Sequence, residues 1–173
     1  LATLAGADGL HVFLRALSTA EPRGRVEVAL VARNNDVLGT AVTDADAHGT
    51  VTPQTTVLHV GTLGLVLDPM ATSLERLVAD VPDDVLVFLD PNCRPRIIDD
   101  PAAYHARLNR VLARADVVKV SGDDLEWLDP DAPTMDTARS LLDRGPSVVL
   151  FTDGAAAVHV FTAIGSFSLP VPK

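Results

Sequence analysis

From residue 55 onward the chain alternates short apolar runs with helical patterns, and this alternation restricts its fold more than any other feature. Residues 56–60 form a strand candidate that ends at Gly61. A helix is expected next, with Asp68 as N-cap, Pro69 at the first helical position, and Met70, Leu74, Leu77 and Val78 along one face. Residues 85–89 are a continuous apolar run of the kind found in strands buried on both faces. The clearest helix covers residues 101–115, with Tyr104, Leu108, Val111 and Leu112 sharing a face and Arg107, Arg110 and Arg114 off it. Residues 117–120 predict a strand, 123–128 a helical turn, and 134–143 a helix ended by Gly145-Pro146. Residues 148–151 predict another buried strand, and 156–162 and 167–171 an antiparallel continuation. Strands that alternate with helices fold as right-handed βαβ units, so the expectation is one α/β domain with a mainly parallel sheet and helices on both faces. The first 50 residues carry weaker signals: a helix over 10–18, and strands over 26–31 and 38–43 at or beyond the sheet edge.

Composition narrows the function. A net charge of −9 repels the phosphate backbone of nucleic acid, which excludes a nucleic-acid partner but not a local nucleotide site. The single cysteine, Cys93, rules out an internal disulfide and fits a reducing compartment. No window reaches the roughly 20 apolar residues needed to cross a bilayer, and no basic n-region precedes an apolar stretch at the N-terminus. A cytoplasmic protein without a membrane partner is expected. The start at Leu1 and the stop at Lys173 read as cuts, so the domain is expected to be incomplete at both ends.

In open parallel sheets, ligands bind at the carboxyl ends of strands. The residues that follow the predicted strands are Gly61-Thr62, then Asp90-Pro91-Asn92-Cys93-Arg94, then Ser121-Gly122-Asp123-Asp124, then Thr152-Asp153-Gly154. Glycines allow close backbone approach, hydroxyls and an amide donate hydrogen bonds, and Arg94 can fork onto phosphate oxygens. Each piece also has a purely structural reading. Asp90-Pro91-Asn92 suits a turn, Ser121 with Asp124 suits a helix cap, and Asp153-Gly154 suits a hairpin. The five histidines show no metal-ligand spacing, and His59 in its apolar strand reads as a hydrogen-bonded core residue. Leu125 and Trp127 are expected to anchor the short helix.

The order of these motifs resembles the ribokinase-like family, the phosphofructokinase-B group. Asp90-Pro91-Asn92-Cys93-Arg94-Pro95 resembles the D-P-N-x-R-P segment of fructokinases. Ala115-Asp116-Val117-Val118-Lys119-Val120-Ser121, followed by Asp124-Leu125, is similar to A-D-V-V-K-x-S-x-x-[ED]-L. Residues 148–157 resemble V-V-V-T-x-G-x-x-G, and 167–172 the strand that precedes the family's G-A-G-D anion hole. Gly6-Ala7-Asp8-Gly9 is loosely similar to an early G-x-D-x-x-G. The likeness covers residues 55–173, leaving 1–54 as an edge or lid-proximal region of a single partial domain.

The resemblance implies a ribokinase-like three-layer sandwich and ATP-dependent phosphorylation of a sugar hydroxyl, with ATP and Mg²⁺ as cofactors. It implies that Asn92 and Arg94 lie by the transferring phosphate and that Arg94 supplies transition-state charge. Lys119, Ser121, Asp124, Thr152, Gly154 and Ala157 would line the nucleotide site, with Asp124 reaching Mg²⁺ through water. A homodimeric parent is also implied. Three departures matter: no G-A-G-D occurs, so the catalytic aspartate is missing and this piece alone is expected to be inactive; Ala157 stands for the second glycine, and Asp124 for the usual, one-methylene-longer Glu; and residues 44–56 are shorter than the family's lid region. Other readings are a 2-keto-3-deoxygluconate or nucleoside kinase of the same family, a non-catalytic nucleotide-binding remnant, and an unrelated acidic α/β domain.

Overall fold

The computed structural model describes the backbone of residues 9–18 and 25–33, Ala47, and residues 51–171. The chain falls into two compact units, Leu1–Val87 and Phe88–Lys173.

In the first unit, β1 (Gly9–Ser18) pairs antiparallel with β2 (Arg25–Arg33) on one side and with β3 (Thr55–Gly61) on the other. The expected strand at 26–31 is therefore present, while the expected helix over 10–18 is a strand. Leu10, Phe13, Leu14 and Leu17 fit a helical period, but a full-length ladder to β2 outweighs that local preference. The expected strand at 38–43 and the Gly6-Ala7-Asp8 motif lie outside the described residues. Leu58 and Val60 of β3 are buried, whereas His59 between them is half-exposed and is not a core residue.

Helix α1 (Met70–Asp80) buries Met70, Leu74, Leu77 and Val78, the face its periodicity predicts. It begins one residue later than expected. Pro69, not Asp68, is the N-cap, because the helix starts at Met70; Asp68, one residue before the cap, still serves the first turn, its Oδ1 accepting from the Thr72 backbone N–H at 3.0 Å and from the Thr72 hydroxyl at 2.6 Å.

The second unit opens within β4 (Leu86–Asp90), at Phe88, and continues with β5 (Val117–Ser121) and β6 (Val148–Asp153); the three strands pair in parallel in that order. β7 (Ala157–Thr162) and β8 (Gly165–Pro170) continue the sheet antiparallel, as expected. Val87, Leu89, Val118, Val120, Val149 and Phe151 alternate along the three parallel strands and form a closed core face. The intervening Phe88, Val117, Leu150 and Val148 are half-exposed, and Leu86 is exposed. Burial of both faces, expected from the apolar runs, is thus realised on one face among the described residues.

Helix α2 (Pro101–Leu112) links β4 to β5 and ends three residues short of the predicted limit. Asp100 caps it by accepting from the Ala103 N–H at 3.0 Å, with Pro101 at N1 where no donor is needed. Its buried side chains, Tyr104, Leu108, Val111 and Leu112, are those of the predicted face. Helix α3 (Gly122–Leu128) follows β5 directly, and α4 (Thr134–Ser140) tightens into a 3₁₀ turn over Leu141–Arg144 before Gly145. Trp127 rests on Tyr104 and His105 of α2 at 5.5 and 5.0 Å between ring centroids, and Leu125 is fully buried. Both residues anchor α3 as expected.

Candidate nucleotide-binding rim

The register of the second unit brings the predicted residues to one end of its sheet. Leu89 aligns with Val118, and Ser121 aligns with Thr152, so the carboxyl ends of β4, β5 and β6 lie side by side. Asp90, Ser121 and Thr152 therefore share an edge.

Asp124 organises that edge. It is 3% exposed, and its carboxylate is surrounded by donors. Oδ2 accepts from the Ser121 N–H at 2.9 Å and the Ser121 hydroxyl at 2.7 Å, while the Asp124 N–H donates to Ser121 Oγ at 3.2 Å. This reciprocal arrangement is a capping box, with Asp in place of the more common Glu. Oδ1 accepts from the Cys93 N–H at 2.7 Å, across 31 positions of sequence. One buried carboxylate thus caps α3 and fixes the loop after β4.

That loop carries the D-P-N-C-R residues. Asn92 has φ +42, a left-handed conformation that Asn tolerates better than most side chains. Arg94 is exposed, and its Nη1 donates to the Asn92 and Cys93 carbonyls at 3.3 and 3.0 Å, which curls the side chain over its own loop. Cys93 is buried, its Sγ 3.7 Å from the Tyr104 hydroxyl oxygen. Burial pushes the thiol up to about 12 and raises the Tyr104 hydroxyl as well. Both groups are neutral at physiological pH and serve packing.

The remaining predicted residues are distributed along the same unit. Thr152 donates to the Val120 carbonyl at 3.3 Å. Gly154, with φ +50, forms the exposed β6–β7 turn, closed by the Ala156 N–H on the Asp153 carbonyl at 2.9 Å, and Ala157 opens β7. The hairpin reading of Asp153-Gly154 and the cap reading of Ser121 and Asp124 are both realised. Lys119 forms an ion pair with Asp90, Nζ to Oδ2 3.3 Å. Sequence reasoning did not foresee this pair. The available signal was the parallel register, which sets the last residue of β4 beside the third residue of β5.

The donor set does not fit a protein-held Mg²⁺. No group of three His, Cys, Asp or Glu residues is gathered among the described residues, and Asp124 already accepts three hydrogen bonds. No described helix is long and apolar enough to cross a membrane.

The backbone path of most of the chain matches that of solved kinases. The aminoimidazole riboside kinase of Salmonella enterica, solved with aminoimidazole riboside and an ATP analogue, superposes with a TM-score of 0.65 at 22% identity, covering 79% of this chain and 47% of that one. The fructokinase of Vibrio cholerae O395, solved with fructose, ADP and calcium, gives 0.65 at 23% identity, covering 83% and 46%. The fold is ribokinase-like. Among curated proteins, a fructokinase of Rhizobium leguminosarum bv. trifolii is 31% identical over 113 residues, 65% of this chain. The chain spans 35% of the length of that relative, and about half the length of the solved kinases. These likenesses make the chain a relative of the ribokinase-like carbohydrate kinases. Residues 1–67, which contain β1, β2 and β3, separately match the sequence model of the bacterial alpha-2-macroglobulin MG3 domain.

Proposed function

We propose that this chain is the nucleotide-binding part of an ATP-dependent sugar kinase of the fructokinase type, acting in the cytoplasm. The observation that supports this reading most is the hydrogen bond from the Cys93 N–H to Asp124, which holds Asn92 and Arg94 beside the β5 and β6 ends. Phosphoryl transfer asks a protein chiefly for positioning and for cations against the charge that spreads over the transferring group. Arg94 is assigned that charge role, because an exposed guanidinium over the loop can turn its fork to phosphate oxygens. Asn92, Thr152, Gly154 and Ala157 are assigned to the nucleotide, and residues 55–173 to its binding core. Ser121 and Asp124 are assigned to shaping the rim, since their polar atoms already serve the cap. Mg²⁺ would accompany the phosphates of ATP and keep most of its waters, as this ion commonly does. No residue of the 173 is assigned the proton-accepting role. The relatives' substrates make fructose the first sugar to try.

The test is a sugar panel with Mg·ATP on the whole gene product, read as ADP release. Phosphorylation of fructose, with Arg94→Ala lowering kcat by about 100-fold or more and leaving the circular dichroism spectrum intact, is expected. Absence of turnover with every sugar, or unchanged kinetics in Arg94→Ala, would overturn the reading.

A further inference from the structure

We infer, resting on the sugar-kinase reading above, that Asp90 accepts a hydrogen bond from a hydroxyl of a neutral sugar and so selects an uncharged acceptor over a sugar acid. Asp90 is the last residue of β4 and pairs with Lys119 of β5, Nζ to Oδ2 3.3 Å. Its other oxygen, Oδ1, is buried and has no hydrogen-bond partner among the described residues. A buried acceptor without a donor is costly, and most such atoms in folded proteins are served. Because the two charges of the pair cancel, the unmet need here is for a hydrogen-bond donor and not for a charge of either sign. A neutral hydroxyl fits that need. An anionic group would meet the lone pairs of Oδ1, whereas a hydroxyl meets an acceptor strengthened by its ionised state.

Access and position agree with this role. The Asp90 side chain is 24% exposed, and the torsion about its Cβ–Cγ bond is soft and roughly two-fold. A half-turn exchanges the two oxygens, which brings the unserved one outward and leaves the inner one for the ammonium. Asp90 also opens the Asp90-Pro91-Asn92-Cys93-Arg94 segment, whose loop is held by the Cys93–Asp124 bond. A hydroxyl that is to receive a phosphoryl group must lie close to the cation that faces that group. Arg94 is assigned that cation, so the hydroxyls of the acceptor belong at the edge that carries Asp90. The segment then divides its ligand by charge, with the phosphate at Arg94 and the neutral sugar at Asp90.

The test uses the whole gene product and calorimetry, with and without a non-hydrolysable ATP analogue. The ligands are fructose or whichever neutral sugar is turned over, its monodeoxy analogues, and the sugar acid 2-keto-3-deoxygluconate. The wild type should prefer the neutral sugar to the acid and should lose about tenfold or more in affinity with one monodeoxy analogue, as expected for removing a donor from an ionised acceptor. Asp90→Asn, which keeps the size of the side chain, should bind the parent sugar about tenfold more weakly. It should lose nothing further with that analogue, the coupling expected of groups in contact, and its preference over the acid should narrow. Asp90→Ser repeats the comparison, with circular dichroism checking that both variants fold. A wild type whose affinity no single deoxygenation changes would overturn the inference without any variant. Folded variants with no coupling to any hydroxyl, or tighter binding of the acid than of the neutral sugar, would do the same and leave Asp90 to the fold alone. Those results spare the kinase reading as long as a sugar is phosphorylated. A protein that phosphorylates no sugar, neutral or acidic, would overturn both.

Discussion

Asp124 Oδ1 accepts the backbone N–H of Cys93 at 2.7 Å, joining the start of α3 to the loop after β4. The same carboxylate caps α3 through Ser121, so one side chain sets both the helix and the loop that carries Asn92 and Arg94.

Asp124→Ala should therefore be costly. It leaves the Ser121 and Cys93 N–H groups without their acceptor in a buried setting, and a loss of about 2–4 kcal/mol is expected. Urea unfolding measures it. Asp124→Asn keeps one acceptor and should cost less. A loss under about 0.5 kcal/mol, the range of ordinary surface changes, would show that the loop is held by other contacts.

Cys93 should resist thiol reagents in the native state, because burial holds it protonated up to about pH 12. Its folded value lies above the ordinary 9.0, so the stabilisation is fully present below pH 9 and is lost as pH rises from 9 toward 12. Tyr104 shifts in the same direction and adds to the decline. Urea midpoints at pH 7, 9 and 10.5 should fall at the alkaline end, and Cys93→Ala should flatten that fall. Rapid labelling at pH 7.5 without denaturant would contradict the burial.

Two glycines with positive φ should respond differently to alanine. At Gly145, φ is +143, and an added Cβ would lie 2.3 Å from the Leu112 carbonyl oxygen and 2.8 Å from Ala113 Cα. Backbone cannot move aside cheaply, so Gly145→Ala should cost about 3 kcal/mol or more, a clash added to left-handed strain. At Gly154, φ is +50 and nothing lies within 4 Å, so only the conformational cost of about 1–2 kcal/mol applies. Thermal unfolding of the two variants side by side checks the order.

Much of the second unit was legible because its signals are local. The Tyr104, Leu108, Val111 and Leu112 stripe, the Ser121–Asp124 cap and the Asp153-Gly154 turn each follow from spacing within a few residues. What depends on distant partners was not legible. The 10–18 segment has a helical period yet forms β1, because pairing with β2 decides it. His59 reads as core from its apolar neighbours, but strand alternation turns it toward the half-exposed face. At the rim, the order of motifs along the chain revealed which residues meet. It could not show that Asp124 grips Cys93, or that Asp90 holds Lys119, since both depend on how adjacent strands are aligned. The polar atoms of Ser121, read as possible phosphate donors, are engaged in the cap instead.

The edge strand β8 governs how these 173 residues behave on their own at high concentration. All six residues of β8 are exposed, with Phe167 57%, Leu169 54% and the following Val171 38% exposed along one side. A bare, greasy ribbon of this kind is a template on which further ribbons can grow. Solutions of these 173 residues alone should gain light scattering with warming and time, and Phe167→Lys should suppress that gain, because a single charge on such a ribbon disfavours stacking.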